Sequence, residues 1–389
     1  MKVLIIAHKP PYPKIDGGCV ATAQIINGLE LEGIDYRLIF LHTPKHPFLV
    51  ESFPTALKEK ILIAKFIDTQ SVWRNLKQGL NTKVSIFTNR FYTADIEREI
   101  IQVCRDFQPN IVHFESLFAA VYLPAIRNSI DCKVVLRTHN IEHDLWVQRV
   151  NKIGFFKKKL LQKHVSLLKE AEIQCLKNVD GVLAIAKNEI TFIKQQGIKT
   201  KSLWLPMGIE QQGLNSHYGN DFFHLAAMDW KPNVSGLNWF LKNIWKEREI
   251  SSSNILHIAG KNLNMDEYRD IRGVKNHGTV QSSERFMCDF GIMLVPLFEG
   301  SGLRIKIIQA GALGVPIIAT SKAVEGIGLQ HKTHFLQADT AEEFREAMLL
   351  LRNDVSLRRN LGQALKAYIK LNFNQKDLNQ KLIEFYKSI

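Results

Sequence analysis

At 389 residues, 46% of them hydrophobic and 23% charged, the chain is too long for one ordinary core and has the composition of a soluble globular protein, so two domains are expected. Its formal net charge of +13 favours anionic partners: nucleotides, nucleic acid or an acidic membrane surface. The five cysteines are scattered and form no C-x-x-C pair, which argues against a disulfide framework or a cysteine zinc site and fits a reducing cytoplasm.

The first apolar run, residues 1–7, stops at His8-Lys9-Pro10-Pro11 and is too short for a signal peptide or a membrane span. No later segment is long and apolar enough to cross a bilayer. The expectation is a cytoplasmic protein, with peripheral contact to the inner face of a membrane as its one membrane option. In chain order, residues 3–7 read as a strand, about 20–31 as a helix and about 36–41 as a second strand. Residues 111–114, 133–136 and 181–185 are short strands rich in β-branched residues, with helical stretches between them. This is the βαβ rhythm of a parallel sheet covered on both faces.

The rhythm then restarts. Strands are expected at 222–227, 255–259, around Val274, at 292–295 and at 317–319, with a helix over 234–245. The break falls near Leu205-Pro206-Met207-Gly208, a Pro/Gly interruption between periodic segments. Three helices, 341–351, about 355–371 and 375–387, close the chain, and the last has apolar residues at helical spacing. The fold class is therefore α/β with two Rossmann-like, doubly wound domains: 1–205, 206–371, and a terminal helix, 372–389, crossing back to the first.

Open parallel sheets take ligands at the carboxyl ends of their strands. The first such loop holds a glycine pair, Gly17-Gly18, at a helix start. It is not G-x-G-x-x-G, so a dinucleotide fingerprint is absent; a glycine pair there can still approach a phosphate or a sugar, and a plain tight turn is the other reading. The strand ending at Leu136 leads into Arg137-Thr138-His139-Asn140-Ile141-Glu142-His143. His139 reads as a hydrogen-bond donor to a substrate hydroxyl or leaving-group oxygen, with Glu142 orienting it or binding a hydroxyl. A satisfied cap cluster is the alternative. His139 and His143 lack an H-E-x-x-H context, and no metal is expected.

In the second half, Met228-Asp229-Trp230-Lys231-Pro232-Asn233 offers Asn233 as a helix cap and Lys231 as a phosphate ligand. Gly260 and the turn Gly278-Thr279-Val280 would let backbone atoms touch a base. The most informative stretch is Phe298-Glu299-Gly300-Ser301-Gly302-Leu303-Arg304-Ile305-Lys306, followed by Gln309 and Gly314. It reads as strand end, glycine loop and helix, with Ser301 as cap. Two cations in a first helical turn oppose the helix dipole, and a bound phosphate or pyrophosphate would explain them; a solvated helix start is the other reading.

Together these motifs resemble the glycosyltransferase family-four superfamily, of the GT-B fold, over essentially the whole chain. The resemblance rests on Gly17-Gly18, His139, the Pro206-to-Gly208 hinge, Gly260, Gly278 with Val280, Asp229-Trp230-Lys231-Pro232-Asn233 and Gly300-Ser301-Gly302-Leu303-Arg304-Ile305-Lys306. It implies two domains facing across a cleft, and sugar transfer from a nucleotide diphosphate sugar to a saccharide or lipid-linked acceptor. It implies retention of configuration and no metal or other cofactor, in cell-surface polysaccharide or glycoconjugate synthesis. By carry-over, Gly17 and Gly18 sit near the donor phosphate and sugar, and His139 contacts the transferred sugar. Glu299, Gly300, Ser301, Gly302 and Leu303 line the donor, Arg304 and Lys306 serve the diphosphate, and Gln309 stands where the family usually has a ribose-binding Glu.

That Gln, and the absence of an Arg-x4-Lys-Gly loop after Ala227, keep two alternatives open. One is a weak or inactive nucleotide-sugar-binding partner protein; the other is a different GT-B enzyme, such as a sugar-nucleotide epimerase. No nucleic-acid motif accompanies the positive charge. Between Lys152 and Lys169, lysines interleave with Phe155, Phe156, Leu160, Leu161, Val165 and Leu168, a pattern suited either to an anionic membrane surface or to a solvated helix with an ordinary core face.

Overall fold

The computed structural model describes residues 1–70, 83–151, 154–210, 213–300 and 302–389. The chain divides into two compact units, Met1–Met207 with Lys376–Ile389, and Gly208–Gln375.

The first unit holds a seven-stranded parallel sheet in the order β3-β2-β1-β4-β5-β6-β7. Its strands are β1 (Lys2–Ala7), β2 (Asp35–His42), β3 (Ile61–Phe66), β4 (Ile111–Glu115), β5 (Lys133–Thr138), β6 (Gly181–Ala184) and β7 (Lys201–Trp204). Among the described residues, helices of seven residues or more are α1 (Gly17–Leu31), α2 (Ala94–Phe107), α3 (Leu123–Ser129), α4 (Glu142–Val150), α5 (Phe155–Asn178) and α6 (Lys187–Gln195). Central strands are buried on both faces, which is why they read as unbroken apolar runs. Leu4, Ile6, Val112, Phe114, Val134 and Leu136 point into one core, whereas Val3, Ile5, Ile111 and Val135 point into the other.

The second unit holds a six-stranded parallel sheet in the order β10-β9-β8-β11-β12-β13. Its strands are β8 (Phe222–Leu225), β9 (Leu256–Ala259), β10 (Val274–Asn276), β11 (Ile292–Val295), β12 (Ile317–Ala319) and β13 (Leu336–Gln337). Its helices are α7 (Lys231–Phe240), α8 (Ser283–Asp289), α9 (Ile305–Leu313), α10 (Ala341–Asn353) and α11 (Val355–Phe373). The last helix, α12 (Gln375–Lys387), returns to the first unit. Its Leu378, Leu382, Ile383, Phe385 and Tyr386 join the core beneath Val3, Ile5 and Val135.

The α1 helix begins at Gly17, as the glycine pair at a helix start suggests, because the Asp16 side chain accepts from the Cys19 N–H at 3.1 Å, a full N-cap. One helix start differs from expectation. The α7 helix begins at Lys231, with Pro232 in its first turn, and gives way to a π-helical turn at Leu241–Trp245. The lysine-rich stretch is α5. Residues 152 and 153, and the side chains of Phe155, Phe156, Lys157 and Leu160, lie outside what is described. From Leu161 onward the apolar side is occupied: Val165 and Leu168 are buried in the first core and Leu161 packs against it, while Lys163 and Lys169 face solvent. For these residues the membrane-facing expectation gives way to an ordinary core face. No described helix is long and apolar enough to cross a membrane.

Candidate functional site

Each sheet reverses its strand order once, at β1/β4 in the first unit and at β8/β11 in the second. Such switch points leave a crevice at the strands' carboxyl ends, where adjacent loops diverge to opposite faces. Most of the polar residues singled out above gather at these two places.

In the second unit, the β8 loop and the β11 loop lean on each other. Gly300 has φ +105°, and a Cβ there would stand 2.7 Å from the Trp230 ring, so only glycine lets the loop rest on that indole. The Arg304 guanidinium also lies over Trp230, its carbon 5.8 Å from the ring centroid. Arg304 is buried and forms the N-cap position of α9; its Nη1 donates to the Gly302 carbonyl. Its Nε and Nη2 have no hydrogen-bond partner among the described residues. Burial lowers its pKa to about 10. Two residues on, Lys306 Nζ lies 3.3 Å from Asn233 Oδ1. Burial first, and the Arg304 charge second, lower the Lys306 ammonium to about 7. Neither cation has a carboxylate within salt-bridge distance among the described residues.

Beneath them His224, on β8, donates Nδ1–H to the Leu294 carbonyl at 2.9 Å, and burial followed by Lys306 pushes its pKa down to about 3. It stays neutral and offers the lysine no counter-charge. The expectation that Asn233 caps a helix is corrected. Asn233 sits inside the first turn of α7, donates Nδ2–H to the Ala227 carbonyl at 2.8 Å, and turns its Oδ1 to Lys306. Ser301 lies outside the described residues; the helix it was expected to cap starts four residues later, with Arg304 in the cap position. Lys231 is exposed, and Glu299 and Leu303 are partly buried in the β11 loop.

Gly260 and Val280 fall in neighbouring loops after β9 and β10. The Gly260 N–H donates to the Gly278 carbonyl at 2.8 Å, and Thr279 Oγ1 donates back to the Gly260 carbonyl at 3.3 Å. Gln309 points Nε2 at Glu284 Oε1, 3.4 Å away on α8. A carboxylate thus stands beside the amide, contributed by a different helix.

In the first unit, the sheet register sets Ala7 beside Glu115 and Glu115 beside Arg137. The chain therefore delivers His8, Ser116 and His139 to one edge. Glu115 is the hub. It accepts from His139 Nε2 at 2.7 Å and lies 3.5 Å from Arg137 Nη1 and 3.4 Å from Thr22 Oγ1. His113 Nε2 is 3.1 Å from Glu115 but out of line for a hydrogen bond, and His113 Nδ1 meets the Tyr386 hydroxyl of α12. Burial alone would raise the Glu115 carboxyl; Arg137, with His113 and His139, holds it well below the carboxylate range. Glu115 is thus ionised. Burial lowers His139 in turn, against the pull of Glu115 and with help from Arg137 and Lys9.

Gly18 completes the cluster. A Cβ on it would stand 3.2 Å from Lys9 Nζ and 3.3 Å from His139 Nδ1, so glycine lets these two side chains close over the start of α1. Gly17, Gly18 and His139 are therefore brought together, with Lys9 beside them. Glu142 does not orient His139, contrary to expectation. Its own N–H donates to Glu172 Oε1 at 2.8 Å, and burial together with Glu172 raises its carboxyl to about 7. His143 likewise turns away, its Nδ1 2.5 Å from Glu172. Asp16, Cys19 and His46 have donor atoms close enough for a metal ion, but Asp16 Oδ2 already holds Lys9 Nζ and His46 Nε2, each at 2.9 Å.

Sequence reading missed Glu115, Lys9, His224 and Glu284. Glu115 had a signal: His113 and Glu115 are polar residues two apart on one face of an otherwise apolar strand. Glu284 had none, because it approaches Gln309 only through the packing of α8 on α9.

Comparison with known proteins adds to this geometry. Residues 219–354 match the family described as "Glycosyl transferases group 1". An uncharacterized 44.6 kDa protein in the cps region of Klebsiella pneumoniae is 21% identical over 398 residues, covering 96% of this chain and 97% of that one. Among solved structures, sucrose-phosphate synthase from Thermosynechococcus elongatus superposes with a TM-score of 0.68 at 13% identity, covering 100% of this chain and 98% of that one. Anabaena HepE in complex with UDP superposes with a TM-score of 0.67 at 12% identity, covering 100% of both chains.

Proposed function

We propose that this chain, which has the GT-B fold and matches the group 1 glycosyltransferase model over residues 219–354, is a glycosyltransferase that transfers a sugar from a nucleotide diphosphate sugar without a metal ion and with retention of configuration. Its acceptor is a saccharide or lipid-linked saccharide, in cell-surface polysaccharide or glycoconjugate synthesis. The observation that carries the reading is Arg304: a buried guanidinium with two unpartnered nitrogens at the start of α9, joined by a Lys306 with no counter-charge. Two cations against the positive end of a helix are an unstable arrangement until an anion arrives. A diphosphate supplies the charge and the acceptor oxygens that Arg304 lacks.

The chemistry follows from this charge. Cleaving the sugar–phosphate bond builds negative charge on the departing diphosphate, and Arg304, Lys306 and the α9 N–H groups are fixed beforehand to receive it. His139, Gly17 and Gly18 contact the transferred sugar. Glu115 is held by His139 and Arg137, and burial together with Glu172 raises the Glu142 carboxyl to about 7, which argues against either as the nucleophile that attacks the sugar. A front-face displacement, in which the departing phosphate takes the acceptor's proton, fits best. The alternative of an inactive binder is motivated by Gln309; Glu284, 3.4 Å from that amide, puts a carboxylate near it and favours the active reading. HepE, of the same fold, was crystallised with UDP-glucose, which makes UDP sugars the first donors to test.

The test is release of nucleoside diphosphate from UDP, GDP and ADP sugars, with and without EDTA. One donor should be turned over, at a rate EDTA leaves unchanged. Turnover of none, or loss on chelation, contradicts the proposal.

A further inference from the structure

The hydrogen bond between His139 and Glu115 fixes more than a distance. Glu115 is surrounded by Arg137 Nη1 at 3.5 Å, His113 Nε2 at 3.1 Å, Thr22 Oγ1 at 3.4 Å and His139 Nε2 at 2.7 Å. Arg137 itself is held by the Ala21 carbonyl at 2.9 Å. A carboxylate beside a guanidinium is ionised and can only accept. His139 must therefore carry its proton on Nε2. The other ring nitrogen, Nδ1, has no hydrogen-bond partner among the described residues and lies beside Gly18 at the start of α1. Lys9 Nζ approaches the same glycine and opposes a second proton on the ring.

We propose that Glu115 is a positioning residue that locks His139 in the Nε2–H tautomer, so that Nδ1 presents a lone pair over Gly18 and accepts from a ligand hydroxyl. The inference rests on His139 as the residue that meets the transferred sugar. It reverses the polarity expected from the sequence, where His139 was read as a donor. A lone pair selects a group that carries a hydrogen, and it disfavours a bare phosphate oxygen at that point. Phosphate affinity on this side is left to Lys9 and the α1 N–H groups. The role also explains why a buried glutamate is surrounded by so many donors: a single acceptor that cannot be neutralised cannot allow the tautomer to flip.

The test is two-bond 1H–15N correlation on histidine-labelled full-length protein from pH 6 to 8, with His139 assigned by loss of its signals in His139→Asn. The wild type should show a protonated Nε2 and an unprotonated Nδ1. In Glu115→Gln, whose amide can donate as well as accept, that preference should be lost toward tautomer averaging. A wild-type His139 that is Nδ1-protonated, doubly protonated or averaged overturns the proposal, as does an unchanged spectrum in Glu115→Gln. The wild-type spectrum decides even where the variant fails to fold. No sugar nucleotide enters the measurement, so failure of the donor-binding reading is registered separately.

Discussion

Arg304 and Lys306 set the terms at the scale of single residues. A buried cation without a carboxylate partner weighs against folding, and Met in its place keeps the aliphatic packing while removing that burden. Arg304→Met and Lys306→Met should each weaken nucleotide binding by about 10–100-fold, the worth of one or two charge-assisted hydrogen bonds. Their melting temperatures should stay equal to the wild type or rise. A fall in both affinity and stability would mean that the two cations are structural. Lys306 also predicts a pH dependence. Its folded value, about 7, is depressed below the ordinary lysine value, so between pH 7 and about 10.4 the unfolded chain binds more protons. This group's contribution to unliganded stability therefore rises with pH across that window. A bound diphosphate reverses the preference, and donor affinity should fall above pH 7 by up to about tenfold per pH unit. Calorimetry at pH 6.5 and 8.5 checks the sign, and Lys306→Met should flatten the slope. Gln309 gives a third case. Changing it to Glu would set a second carboxylate where the amide now lies 3.4 Å from Glu284. Gln309→Glu should weaken donor binding, and Gln309→Glu with Glu284→Gln should restore it; improved binding in the single variant would show that Glu284 plays no part.

Among the elements, the terminal helix matters most. The five apolar and aromatic residues that α12 places in the first unit's core include Tyr386, whose hydroxyl meets His113 beside Glu115. Removing residues 376–389 should unfold the first unit rather than trim it, seen as loss of the cooperative melt. Tyr386→Phe keeps the packing and should cost only about 1–2 kcal/mol, the loss of one buried hydrogen bond; a native-like melt after truncation would contradict this role. The helix was legible in the sequence because its apolar residues recur at helical spacing. The central strands were legible because double burial makes them continuous apolar runs. Edge strands were not: β3 and β7 are half-exposed, and β13 is two residues long, so none carries a run that stands out. The start of α7 was misjudged because Lys231-Pro232 looks like a breaker until the proline falls in the first turn, where its missing N–H is harmless.

Over the whole molecule, the two sheets repeat one logic. Each reverses strand order once, and the candidate residues come mainly from loops at those two reversals. That much could be read from periodicity, because a strand end followed by glycine and polar residues is where a parallel sheet opens. What periodicity could not supply was pairing across the sheet: Glu115 with His139, Asn233 with Lys306, Glu284 with Gln309. These meet through register and helix packing, which no local pattern encodes. The formal charge of +13 acquires a local meaning at Arg304 and Lys306, two cations left without a carboxylate partner. The central claim is that they await a nucleoside diphosphate. Isothermal titration of the full-length protein with UDP, GDP and ADP, beside Arg304→Met, tests it most directly. The account predicts that one nucleotide binds the wild type and that the variant loses about 10–100-fold in affinity. No binding by any of the three, or equal affinity in the variant, would contradict it.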